Sequence, residues 1–142
     1  EGKGLTVERK NGKVYVSMEN KLLFSSGSWA VNSEGKRAVN NLAAVLTENP
    51  DIDVLIEGHT DNVPYGGKGV LIDNWDLSTK RATAIVRILV DNNVPQKQVT
   101  AAGRGEFMPI ASNTTSTGRA KNRRIEIILA PNLDAINKLL EE

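Results

Sequence analysis

Apolar and polar positions alternate along this chain with two different periods, and the switches between them mark out its elements. Leu5, Val7, Val14, Val16 and Met18 alternate with polar residues on either side of Asn11-Gly12. A period of two around a tight-turn dipeptide predicts a β-hairpin over residues 4–18. Leu22-Leu23-Phe24 reads as a short apolar strand, followed by the small-residue loop Ser25-Ser26-Gly27-Ser28. The period then changes. Val39, Leu42, Ala43 and Leu46 fall at i, i+3, i+4 and i+7, which predicts a helix over 33–48. Asn32 or Ser33 can cap it, and Pro50 stops it. Ile52, Val54 and Ile56 return to alternation, as a strand running into Gly58.

A second helical stripe is formed by Ala82, Ile85, Val86, Leu89 and Val90. Its helix starts between Asn74 and Ser78 and ends at Asn92-Asn93, since Asn tolerates the left-handed cap and Pro95 cannot continue the helix. Val99–Ala102 and Ile125–Leu129 read as strands on either side of a polar loop over 103–122. Leu133, Ile136, Leu139 and Leu140 predict a short closing helix. The order is hairpin, strand, helix, strand, helix, strand, long loop, strand, helix. That order predicts an α+β or α/β sandwich with two main helices on one face of a sheet.

Length and composition narrow the function classes. The 142 residues suit a single domain spanning 1–142, with a core over about 22–130, a hairpin region 1–21 and a C-terminal helix over 131–142. A chain of this length buries roughly 68–70% of its unfolded surface, enough for a core without disulfides or metal. With no cysteine there is neither a disulfide framework nor a thiolate-held metal. Net charge is +1, from 18 Lys+Arg against 17 Asp+Glu, so no global field draws the chain to nucleic acid. No apolar run approaches the roughly 20 residues of a membrane span. No signal peptide is visible, and any membrane attachment is expected through segments outside this chain.

Candidate chemistry gathers around two segments. Gly58-His59-Thr60-Asp61-Asn62 ends a buried strand on a carboxylate. Asn74, Leu77, Ser78 and Arg81 share one helix face, which presents a guanidinium near the positive end of the helix dipole. Fixed opposite charges at the mouth of a strand–loop–helix unit suit a small zwitterion, with its ammonium on Asp61 and its carboxylate on Arg81. The plainer alternatives are that Asp61 caps its own turn, and that Arg81 pairs with Asp61 or Glu57 to hold the loop. His59 is the only histidine, and a lone histidine without spaced partners makes a poor metal ligand; its ring is expected to hydrogen-bond to backbone. Arg123 and Arg124 open the last strand. By the two-residue period Arg124 faces Glu126, and Arg123 stands at the rim of the apolar face, nearer any pocket under the helices. There is no Gly-x-Ser-x-Gly elbow, and the glycines at 66, 67 and 69 lack the Lys-Ser/Thr of a phosphate-binding loop.

Five motifs in order carry a resemblance: Gly58-His59-Thr60-Asp61; Asn74 with Leu77-Ser78 and Arg81-Ala82; Gly103-Arg104-Gly105-Glu106 with Pro109; Gly118-Arg119-Ala120; and Asn122-Arg123-Arg124. Over residues 22–130 the chain resembles the OmpA-like (OmpA/MotB/Pal C-terminal) peptidoglycan-binding domains. The resemblance implies a β-α-β-α-β-β two-layer sandwich with a mixed sheet. It implies a non-catalytic module, without metal or cofactor, that binds the diaminopimelate of peptidoglycan stem peptides and anchors an envelope protein to the wall. By motif, Asp61 and Arg81 would take the amine and carboxylate of diaminopimelate, with Thr60, Asn74, Leu77 and Arg123 as supporting contacts. The location it implies is the periplasm of a Gram-negative bacterium, tethered to the outer membrane or envelope.

Two departures stand out. Phe24 is followed by Ser25 where many members carry an acid, and the segment from Asp61 to Asn74 is long. With Asn74-Trp75, that longer form is similar to the flagellar-stator (MotB-like) subgroup. A wall hydrolase using Asp61 lacks a second catalytic group. A degenerate domain that only docks to a partner is the remaining alternative.

Overall fold

The computed structural model describes residues 5–25, 27–67, 69–131 and 140. Asn11 and Gly12 both take left-handed backbone, with φ of 55° and 76°. A two-residue hairpin turn whose twist matches its strands needs that geometry. They join β1 (Leu5–Lys10) to β2 (Lys13–Glu19) in an antiparallel pair. β2 then pairs antiparallel with the last strand, β5 (Arg124–Pro131). On its other edge β5 pairs antiparallel with β3 (Ile52–His59), which pairs parallel with β4 (Val99–Gly103). The sheet is therefore mixed and five-stranded, in the order β1-β2-β5-β3-β4.

Two long helices cover one face. α1 (Ser33–Thr47) begins where the Asn32 side chain accepts the Gly35 N–H at 2.7 Å. α2 (Asn74–Asp91) begins where Asp73 accepts the Asp76 N–H at 3.0 Å. These caps satisfy amide groups that the first turn of a helix leaves without a partner. Val39, Ala43 and Leu46 of α1 and Ala82, Ile85 and Leu89 of α2 pack on Val54, Ile56, Ile125 and Ile127. Burying a Leu or Ile side chain fully contributes about 1.5–3 kcal/mol, so this layer is the main stabiliser of the fold.

The second turn of α2 approaches the sheet closely. A Cβ on Gly58 would collide with the Ser78 carbonyl, and one on Gly103 with the Thr79 side chain. Glycine at the C-terminal ends of β3 and β4 lets α2 sit low there, with Ser78 fully buried.

The opposite face at the same end is charged. Register places Glu57 opposite Glu126 and His59 opposite Arg124. The chain after β4 covers this end: Arg104 reaches Glu57, and Arg124 donates to the Met108 carbonyl at 2.9 Å.

The β-α-β-α-β-β order is present, but two expectations differ. Leu22-Leu23-Phe24 is not a strand. Residues Asn20–Leu22 form a short 3-10 turn, because the amides of Leu23 and Phe24 both bond back to the Asn20 carbonyl. Phe24 makes only an isolated bridge to Val31, and β2 takes the place of the first core strand. The stretch over 103–122 is not all loop either. It ends in α3 (Ser116–Asn122), capped by Thr115 accepting the Gly118 N–H at 2.9 Å. α3 is polar and lacks an apolar stripe, so periodicity could not reveal it. Leu133, Ile136 and Leu139 of the expected closing helix lie outside the described residues.

Candidate functional site

β3 ends at His59, and the chain leaves the sheet through Thr60 and Asp61. The Thr60 amide donates to the Gly105 carbonyl at 2.9 Å, which ties this exit to the chain leaving β4. Asp61 is 6% exposed. Its Oδ1 accepts the Val63 amide at 3.0 Å, the turn-capping bond expected of an aspartate there. Its Oδ2 accepts Arg123 Nη1 at 2.6 Å. Asn74 holds the same turn from α2, with Nδ2 donating to the Val63 carbonyl at 3.0 Å.

Arg81 lies two turns into α2 and is 4% exposed. Its Nε donates to the Ser28 carbonyl at 2.8 Å, and its guanidinium lies 5.1 Å from the centre of the Phe24 ring. The cation is thus held from one side by a carbonyl and from another by an aromatic face. Burial pushes its pKa down to about 10; Tyr65 and Asp61 raise it and Arg123 lowers it further. Arg81 is paired with neither Asp61 nor Glu57 among the described residues, so those expected pairings are corrected. Asp61 takes Arg123 instead, because the end of α3 delivers that side chain to the exit of β3.

Thr60, Asp61, Asn74, Leu77, Arg81 and Arg123, the residues nominated from sequence, all line one cleft of about 530 Å³. Leu77 is 5% exposed and gives the cleft an apolar wall. The Thr60 hydroxyl donates to the Asp61 carbonyl at 2.8 Å. Sequence reasoning missed Asn20, Lys21, Phe24, Tyr65 and Arg119, which also line it. Arg119 stood within a quoted motif, but its role depends on α3, which the pattern did not show. Ser25, one of the two departures noted in the sequence, lines the cleft. Asp61 is consequently the one carboxylate on the wall among the described residues.

Arg124 points elsewhere. It is 3% exposed and pairs with Glu126, as the alternation predicted. Behind the cleft, His59 Nε2 lies 3.1 Å from Glu57 Oε1, so the ring meets a carboxylate rather than the expected backbone. Glu57 is held below its usual pKa, first by this hydrogen bond and then by Arg104, against the opposing effect of burial. Donor atoms of Glu57, His59 and Glu126 lie within 4.8 Å of one another. Arg104 and Arg124 already neutralise those carboxylates, so a cation would have to displace both guanidiniums.

A mixed sheet under two helices, with a carboxylate at the exit of β3 and a buried arginine on α2, defines a class of small α+β binding domains. The model of the OmpA family matches residues 23–123, and the chain belongs to that family. It is 34% identical over 117 residues to motility protein B of Bacillus subtilis, covering 82% of this chain and 44% of that protein. It is 35% identical over 130 residues to the probable lipoprotein YiaD of Escherichia coli, covering 92% of this chain and 57% of that one. Among solved structures, the cell wall anchor of the T6SS from Pseudomonas aeruginosa superposes with a TM-score of 0.82 at 31% identity, covering 90% of this chain and 88% of that one. The chain spans about half the length of the curated relatives it matches.

Proposed function

We propose that the cleft is a non-catalytic receptor for the diaminopimelate of peptidoglycan stem peptides, and that it anchors a parent envelope protein to the cell wall. One observation carries the reading. Asp61 and Arg81, from different elements, line the same cleft and present opposite charges that are not paired with each other. Diaminopimelate carries an ammonium and a carboxylate on one carbon. Its ammonium would share Asp61 with Arg123, and its carboxylate would meet the Arg81 guanidinium, whose Nη groups make no hydrogen bond among the described residues. Thr60, Asn74, Leu77 and Arg123 shape and hold the site. A single lining carboxylate, already ion-paired, does not make an acid–base couple, which favours binding over hydrolysis.

Relatives support the class of ligand. ArfA of Mycobacterium tuberculosis is named a peptidoglycan-binding protein and is 42% identical over 91 residues. Likeness to motility protein B also favours a stator-type parent, in which the same cleft would serve as the wall anchor. Similar proteins come from Bacillus as well as Pseudomonas, so the reading puts the domain in the bacterial envelope without requiring an outer membrane.

Titration calorimetry with two stem tripeptides, one ending in meso-diaminopimelate and the other in lysine, whose side-chain end lacks the carboxylate, tests the reading. Saturable binding of the diaminopimelate peptide, about tenfold or more tighter than the lysine peptide, is expected from one lost charge-assisted contact. Absence of binding to either would leave a docking domain with an inactive cleft.

A further inference from the structure

The chain as a whole is close to neutral, yet its cleft is not. Lys21, Arg81, Arg119 and Arg123 line it, against Asp61 alone among carboxylates. Two of those cations are already matched. Arg123 pairs with Asp61 at 2.6 Å, and Lys21 with Glu19 at 3.3 Å. Arg81 and Arg119 have no carboxylate partner among the described residues. Arg119 is nonetheless held in place. Its Nη1 donates to the Asn113 carbonyl at 2.9 Å, and its other nitrogens are free of hydrogen bonds among the described residues. A guanidinium fixed at one edge and open at the other is prepared to accept a carboxylate.

A diaminopimelate head group is neutral overall and would satisfy Asp61 and Arg81, leaving Arg119 without a counter-charge. We infer that Arg119 reads a second carboxylate, carried by the residue next to diaminopimelate in the same peptide. The cleft then selects an acidic peptide over the same peptide whose neighbouring acid has been converted to a primary amide. This rests on the reading given above for Asp61 and Arg81, and adds to it a subsite and a discrimination between modified forms of the wall.

The test uses the chain as it stands and two stem tripeptides that end in diaminopimelate with its chain-terminal carboxylate amidated, so that only the preceding residue can offer Arg119 a second carboxylate. One carries a free carboxylate on the preceding residue, and the other an amide there. The wild type is expected to bind the acid form about tenfold tighter, the worth of one hydrogen-bonded charge contact. That ratio should shrink as salt is raised, because the subsite is open to solvent. Arg119→Gln should bring the ratio close to one, and Arg119→Lys should keep part of it. Equal binding of the two peptides by the wild type overturns the inference. So does Arg119→Gln weakening both peptides in proportion with the ratio intact, which would mark Arg119 as a structural support of Asn113. Free diaminopimelate serves as the control: if it binds while the ratio is one, only the second subsite falls. If it does not bind, the reading of Asp61 and Arg81 falls as well.

Discussion

Arg123 and Arg124 are neighbours in the chain, and each makes an ion pair, yet the two pairs do different things. Arg123 reaches Asp61 with its side chain 43% exposed, on the wall of an open cleft. Arg124 reaches Glu126 with its side chain 3% exposed, on the far face of the sheet under residues 104–108. The Arg124 pair also binds carbonyls of Met108 and Asn122, so every group that it withdraws from water is compensated. A pair of that kind specifies how the covering chain lies on the sheet. The Asp61 pair is open to solvent on its arginine side only, so Arg123 can be rearranged by a ligand while Asp61 stays in place. The same residue types thus build a support on one face and a receptor on the other, and exposure decides which.

Removing one partner from each pair should break this symmetry most visibly. Arg124→Ala leaves Glu126 facing Glu57 with one guanidinium fewer, and two carbonyls without a donor. Unfolding free energy should fall by about 3 kcal/mol, since the buried guanidinium takes with it an ion pair and the donors of two carbonyls. Arg123→Ala leaves Asp61 its Val63 amide and the open side of the cleft, and should lower it by less, about 1–2 kcal/mol. Urea denaturation of the two variants side by side checks the contrast, and equal losses would mean that exposure is not what separates them.

Ligand affinity should follow the reverse order. Arg81→Ala removes the one buried cation on the cleft wall and should weaken diaminopimelate binding by about tenfold to a hundredfold, from one charge-assisted contact of about 1.5–3 kcal/mol. Arg124→Ala, measured on the folded fraction, should leave that affinity within about twofold, because its guanidinium lies on the other face of the sheet. Calorimetry on folded samples separates the two. A stronger effect from Arg124 than from Arg81 would move the binding site to the charged face.

Much of this arrangement is written in local pattern. The stripes of α1 and α2, the Asn11-Gly12 turn and the alternation that pairs Arg124 with Glu126 are each set within a few residues, and each is found as read. What could not be read depends on partners far apart in the chain. Leu22-Leu23-Phe24 has the apolar character of a strand, but the Asn20 carbonyl captures the two amides that a strand would have offered to a neighbour. α3 is stabilised by its Thr115 cap and has no apolar stripe to announce it. The Asp61–Arg123 contact joins residues separated by 62 positions, and Glu57 meets Glu126 only because β5 lies beside β3. The motif order located the cleft residues. Which arginine holds Asp61, and which is left for a ligand, required the sheet order.

Arg81 stands between the two kinds of pair, since it is buried like Arg124 yet lacks a carboxylate. Its pKa shows the consequence. Burial pushes it down to about 10, so above that pH the folded chain releases a proton that the unfolded chain still holds. Stability therefore rises with pH through this group from about pH 10 upward, the opposite sign to a paired cation. A bound carboxylate favours the protonated guanidinium and draws the pKa back up. Binding near pH 10 should accordingly take up a fraction of a proton, and affinity should decline as pH rises further, with neither effect at pH 8. Calorimetry in two buffers of different ionisation enthalpy at each pH measures this uptake. The Arg81→Gln variant keeps Asp61 and the ligand's own ammonium, which also gains a proton near pH 10, so the uptake that the wild type shows beyond this variant belongs to the guanidinium. Equal uptake by the two proteins at pH 10 would mean that the ligand carboxylate is not on Arg81.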